Sequence, residues 1–254
     1  MMNLAVTGKS FLLAAMALMA VSVDGANGAV RRDKDNGNAC VETGHEYVDM
    51  GLSVKWATCN LGAEVPEDYG WYVAWGETGG GDCYEWSTYK YCKGDYDRLT
   101  KYCAKGQSEL YGFDGFADDK SLLERKDDAA SANWGGKWRM PTPAEWDELL
   151  NSDNCLWIWT TLNGVPGYKV VSKKIAGNAN DRRKGLPERS IFLPAAGFRD
   201  SYYHLNAGDE GYYWCSANYR TNPFNAWYVR LYSSDYFKHY ANRKNGFSVR
   251  PVCP

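Results

Sequence analysis

RMPTPAEWDELL, from Arg139 to Leu150, is the stretch on which the reading of the fold turns. Thr142 stands where an N-cap belongs. Pro143 follows at N1, where its missing N–H would have no helical partner in any case, and Glu145 at N3 completes a capping box. Trp146, Leu149 and Leu150 then recur on one helical face, while Asp147 and Glu148 take the wet side and Asn151 and Ser152 close the element. A shorter helix is expected from Lys126 to Asn133, broken by Gly135 and Gly136.

Working outward from this helix, the chain reads as short strands between turns: YVDMG, VKWAT, YVAWG, KVVSKKI and IFLPAAGF. The composition agrees. Of 254 residues, 11 are Trp, 19 Tyr and 26 Gly, a mixture that suits strands, turns and exposed rings better than long helices. With 44% hydrophobic and 24% charged residues, the chain can bury a core and lies far from the composition of disorder. No internal repeat or second linker appears, so one domain is expected from 44 to 254, after a polar leader at 30–43.

Toward the C-terminus, AWYVRLY (Ala226 to Tyr232) alternates Trp227, Val229 and Leu231 with Tyr228, Arg230 and Tyr232. The first set is expected on the core and the second toward water or a ligand. YSSDYFKHYANR (Tyr232 to Arg243) holds neither the aliphatics of a core strand nor the Lys, Glu, Gly and Pro of an ordinary loop. It reads as a loop joining AWYVRLY to FSVRPV (Phe247 to Val252) within one sheet.

The first 29 residues read as an export signal. Lys9 precedes the apolar run from Phe11 to Val23, which is too short to span a bilayer as a helix, and the small residues of DGANGA place cleavage between Ala26 and Val30. Removing the signal takes away Lys9 and Asp24, one charge of each sign, and leaves the formal net charge at −2. No basic patch for nucleic acid follows, and no transmembrane segment is expected in the mature chain. An exported location is expected: periplasm, cell surface or medium.

All eight cysteines lie beyond the signal and would meet an oxidising compartment, where disulfides persist. The even count permits pairing, but eight cysteines allow 105 connectivities, and some, Cys59 above all, read equally as buried free thiols. The absence of Cys-x-x-Cys removes the basis for a zinc ribbon or a thioredoxin-type site. His45, His204 and His239 show no metal-ligand spacing and are read as surface or turn residues. No G-x-S-x-G elbow occurs. GETGGGD (Gly76 to Asp82) lacks the lysine and spacing of a phosphate loop and is read as a flexible turn. DDKSLLERKDD (Asp118 to Asp128) could offer oxygen ligands to a hard cation, but alternating charge on a solvated face explains it as well.

Several stretches together carry a family resemblance: WATCNLGA (Trp56 to Ala63), AWGET (Ala74 to Thr78), NWGGKWRMPTPAEWDELL (Asn133 to Leu150), IFLPAAGFRD (Ile191 to Asp200), GYYWCSA (Gly211 to Ala217) and NGFSVRPV (Asn245 to Val252). In this order, over nearly everything from Gly44 onward, the chain resembles the Fibrobacter succinogenes major paralogous domain family, abundant in gut Bacteroidetes. That family is similar to the formylglycine-generating enzyme branch of the C-type lectin fold. The resemblance implies an α+β, C-type lectin-like domain of small twisted antiparallel sheets, few helices and long loops. Enzymes of that branch use two closely spaced C-terminal cysteines with copper. Here Cys215 and Cys253 are far apart, so the fold carries over and the activity does not. The calcium-binding signatures Glu-Pro-Asn, Gln-Pro-Asp and Trp-Asn-Asp are missing.

Some members of this superfamily are variable proteins of diversity-generating retroelements, in which mutated Asn codons yield Tyr, Ser, Asp and His. Those residue types crowd the C-terminal stretch. They also suit recognition physically, because Tyr gives wide rigid contact at low entropy cost while Ser and Asn give adaptable hydrogen bonds. The expected function is non-catalytic recognition of a glycan or protein on another cell or surface. The expected site comprises Asn218, Tyr219, Arg220, Tyr228, Arg230, Tyr232, Asp235, Tyr236, His239, Tyr240 and Asn242, with no cofactor or metal. A structural role in a surface assembly and a formylglycine-generating-type enzyme are the alternatives.

Overall fold

The computed structural model describes residues 39–174 and 189–254, of which 39–41 are described by their backbone alone. The expected signal at 1–29 and most of the expected leader, 30–38, lie outside the described residues. The chain enters through β1 (Ala39–Glu42), β2 (His45–Val48) and β3 (Lys55–Ala57). Three short helices follow: α1 (Ser108–Tyr111), α2 (Ala129–Trp134) and α3 (Pro143–Leu150). Then come the strands β4 (Cys155–Leu162), β5 (Val165–Ser172) and β6 (Ser190–Pro194), the small hairpin β7 (Phe198–Asp200) and β8 (Tyr203–Leu205), and the strands β9 (Glu210–Asn218), β10 (Asn225–Tyr232), β11 (Asp235–Asn242) and β12 (Val252–Cys253).

The strands form four small antiparallel sheets, in the orders β1-β2-β3-β12, β4-β5-β6, β7-β8 and β11-β10-β9. This is an α+β architecture of small sheets and few helices, as the sequence suggested. Two readings of the leader and tail are corrected. Residues 39–42 are already a strand, registered against β2 from Ala39↔Val48 to Glu42↔His45, so folded structure begins before Gly44. FSVRPV does not share a sheet with AWYVRLY, since Val252 and Cys253 pair with Trp56 and Lys55 of β3.

The helix α3 forms as its sequence dictates. The Thr142 hydroxyl accepts from the Glu145 amide at 3.2 Å, and the Glu145 carboxylate accepts from the Thr142 amide at 2.8 Å, so both halves of the capping box are closed. Arg139 adds a fork to the same carboxylate, at 2.8 Å and 2.5 Å. Trp146 and Leu149 are buried and Leu150 is half-buried. Trp146 meets Trp56 edge-on at 4.7 Å, which seats α3 against the N-terminal sheet. The shorter helix spans Ala129–Trp134 rather than 126–133, because Asp128 takes the N-cap and accepts from the Ser131 amide at 2.9 Å.

The core lies in two large clusters on opposite sides of β9 and β10. One gathers Trp75, Tyr102, Tyr212, Trp214, Tyr228 and Phe247, and the other Trp56, Trp146, Tyr213, Cys215, Val229 and Leu231. Asp127 and Asp128, expected on a solvated face, are buried. Asp127 accepts from the hydroxyls of Tyr91 at 2.5 Å and Tyr102 at 2.6 Å and pairs with Lys101, and Asp128 accepts from the amides of Ser131 and Met140. Such burial is tolerable because every one of these carboxylate oxygens has a partner. Among the described residues no helix is long and apolar enough to cross a membrane.

Candidate functional site

The stretch YSSDYFKHYANR is not a loop. Ser233 and Ser234 make a two-residue turn, and β11 returns along β10 in continuous register from Tyr232↔Asp235 to Asn225↔Asn242. Because side chains alternate across a strand, this register sorts the expected site residues onto two faces. Tyr228, Arg230, Tyr232, Asp235 and His239 share one face. Tyr236, Tyr240 and Asn242 share the other, with Trp227.

On the first face, Tyr228 is not turned to water as the alternation suggested. It is 7% exposed, stacked on Tyr212 at 5.6 Å and set against Phe247 at 4.9 Å. The strand is sandwiched between two cores at this point and emerges only at Arg230. The Arg230 guanidinium is held by Glu210 through Nε at 3.0 Å and Nη2 at 2.5 Å, and the Tyr212 hydroxyl donates to the same carboxylate. Partial burial pushes the Glu210 carboxyl up, but these hydrogen bonds outweigh it and hold the group below the usual carboxylate range. The cation lies over the Tyr232 ring at 5.2 Å and the Tyr212 ring at 5.8 Å. Phe237 stands 6.2 Å from both Tyr232 and His239, so rings and charge continue to the exposed His239.

The second face is built differently. Tyr219 and Tyr240 stack at 4.0 Å with planes 4° apart, and Trp227 meets Tyr219 edge-on at 5.0 Å. Tyr240 is the outermost ring, at 37% exposure. Lys238 lies over Trp227 at 5.4 Å and pairs with Asp147 of α3 at 2.5 Å. Tyr236 stacks on Trp157 at 4.4 Å and so belongs to packing. Trp227, expected on the core, is half-buried at its margin. Asn218, also expected at the surface, is buried and donates to the Tyr102 carbonyl at 3.0 Å. Arg220 is exposed beyond the end of β9, and Asn242 is half-buried opposite Asn225.

Phe237, Glu210 and Tyr212 belong to the first face and were missed. Phe237 carried a signal, since it repeats at two residues from Asp235 and His239. Glu210 and Tyr212 carried none, because their place follows from the β9–β10 register.

Among the described residues the histidines and cysteines do not converge on one site. His45 stacks on Trp134 at 3.9 Å and burial lowers its pKa, while His204 contacts the Tyr72 hydroxyl at 2.9 Å. The seven described cysteines are unpaired. Cys215 and Cys253 are buried in different sheets, and burial raises both thiols. Among the described residues no three of His, Cys, Asp and Glu gather to hold a metal ion. No family model matches the chain, and no curated protein or solved structure is significantly similar to it.

Proposed function

We propose that this chain is an exported, non-catalytic binding domain of C-type lectin-like architecture. It recognises a ligand on another cell or surface through the outer face of β10 and β11. What carries the reading is the row formed by Arg230, Tyr232, Phe237 and His239, half-buried to exposed on strands whose opposite side packs against α3 and the second core cluster. Such residues give large contact area with little rotamer entropy to lose. The Glu210 fork fixes Arg230 before any ligand arrives, which lowers the ordering cost of association. The lectin-like assignment draws support from the capped α3, the small antiparallel sheets and the pairing of β12 with β3.

The test is a binding screen of the purified protein against host and bacterial surface proteins and glycans, beside a variant carrying Arg230→Ala, Tyr232→Ala and His239→Ala. The variant is expected to fold and to lose binding. Equal binding by the two proteins would remove this face from the proposal.

A further inference from the structure

A groove of about 620 Å³ lies away from β10 and β11, between the loop at Gly70–Tyr72 and the glycine-rich loop at Thr78–Asp82. Tyr84 ties the two walls together: its buried hydroxyl donates to the Tyr72 carbonyl at 2.6 Å and accepts from the Gly81 amide at 3.1 Å. GETGGGD, read from sequence as a flexible turn, is therefore one wall of a built cleft.

The groove presents a flat ring. Trp71 is 43% exposed, and a Cβ added at Gly62 would lie 2.3 Å from its Cδ1 and 2.5 Å from both Cγ and Nε1. Near-equal distances to three atoms of the five-membered ring mean that the indole lies face-down on Gly62. Only glycine permits this approach, and at φ +79° it also suits the backbone. With one face seated on backbone, the indole's remaining surface lines the groove as a stacking platform.

Beside it stands a cation without a counter-ion. Arg199 lies over the Tyr72 ring at 5.4 Å, and its backbone is fixed by paired hydrogen bonds with Gly246, at 2.8 Å and 2.9 Å. Yet no described carboxylate forms an ion pair with its guanidinium, whereas Arg139 and Arg230 are each paired. A half-exposed guanidinium held in place with its fork unused is a receptor for a carboxylate. Acceptors complete the lining. Asn133 gives its amide hydrogens to the carbonyls of Thr78 and Ala129, which leaves Oδ1 to accept, and the Asp82 carboxylate is exposed at the rim.

We propose that this groove binds a hexuronate unit of a glycan. The C–H face of the pyranose lies on Trp71, its carboxylate pairs with Arg199, and its hydroxyls donate to Asn133 Oδ1 and Asp82. The site is independent of the Arg230 face.

The test follows the indole N–H resonance of Trp71, identified by its loss in Trp71→Ala, while methyl β-glucuronide or methyl β-glucoside is added to the purified protein. The glucuronide is expected to shift that resonance, with the glucoside binding about tenfold more weakly, the worth of one charge-assisted hydrogen bond. Arg199→Gln is expected to erase the difference between the two sugars, and Arg230→Ala to change the binding of neither; isothermal titration of Trp71→Ala, which lacks the reporting resonance, is expected to show no binding of either sugar. Near-ultraviolet circular dichroism checks that each variant is folded. No shift with the glucuronide, equal binding of both sugars by the unmodified protein, or a preference that survives Arg199→Gln would each overturn the proposal.

Discussion

Arg243 Nε donates to the Tyr89 hydroxyl at 3.0 Å with both side chains inside the protein. The rest of the guanidinium donates to the carbonyls of Lys101, Tyr102 and Pro223, and it lies over Trp75 at 4.9 Å. No described carboxylate pairs with it. One cation thus binds two separate loops through their peptide dipoles and a third segment through the Tyr89 hydroxyl. Arg250 does the same elsewhere, donating to the carbonyls of Ala57, Thr58 and Phe192 and to Asn60 Oδ1.

Replacing Arg243 by Met should therefore leave buried carbonyls without donors. A loss of about 3 kcal/mol or more is expected, at roughly 1–3 kcal/mol for each orphaned group. Arg243→Lys should recover only part of it, because an ammonium cannot reproduce the planar fork. Urea unfolding monitored by tryptophan fluorescence measures both, and an unshifted midpoint for Arg243→Met would refute the role.

Acid should weaken the fold in a defined window. Hydrogen bonds from Lys101 and Lys120 hold the Glu124 carboxyl down to about 2, against an ordinary 4.5. Its folded value lies below its unfolded one, so its contribution is complete above about pH 4.5 and is lost as pH falls toward 2. Asp127 acts in the same direction: burial pushes it up, but hydrogen bonds from Lys101, Tyr102 and Tyr91 bring it below its usual range. Asp128 and Glu77, raised by burial, act oppositely and favour the fold in acid. Glu124→Gln should flatten the loss of stability between pH 4.5 and 2. A variant that follows the unmodified profile would show that Glu124 carries none of it.

Tyr228 and Tyr232 are expected to part company on truncation, though they sit on one strand face. Tyr228→Ala removes a ring packed between Tyr212 and Phe247 and should cost about 3 kcal/mol. Tyr232→Ala removes a half-exposed ring at the turn and should cost under about 1 kcal/mol. Thermal unfolding of the two variants decides this, and equal costs would contradict the burial assigned to Tyr228.

Among the described cysteines, a thiol reagent should modify Cys59 and Cys83 well before the other five. Those two are half-buried, whereas Cys92, Cys103, Cys155, Cys215 and Cys253 are buried and their thiols raised, Cys155 to about 11. Peptide mapping after timed labelling reads the order. Early modification of Cys215 would mean that β9 opens readily.

What was legible in the sequence was local. Thr142 and Glu145 lie three residues apart and close their box whatever the rest of the chain does, so α3 could be read directly. The alternation in β10 placed Val229 and Leu231 correctly, but it could not say that Tyr228 enters a second core built largely of rings. Tyrosine is ambiguous in this way, since the ring that packs and the ring that recognises are the same side chain. YVAWG, read as a strand, contributes only the bridge from Val73 to Phe247. The C-terminal stretch suggested one surface, yet its period-two pattern across a hairpin divides it between two faces. The groove stayed hidden because it needs Gly62 under Trp71 and Arg199 beside Tyr72, and nothing in the spacing joins such distant positions.

The pairing of Val252 and Cys253 with β3 bears on how the protein is made. Strand β3 is synthesised long before its partner and before the Arg250 that anchors Ala57 and Thr58, which lies 193 residues beyond Ala57. Until then Trp56, which is fully buried in the finished fold, lacks one neighbouring strand. Completion of the N-terminal sheet therefore waits until Val252 and Cys253 have been made. A nascent protein therefore carries an open edge on that sheet throughout the interval, and its N-terminal part cannot reach its final form ahead of the rest.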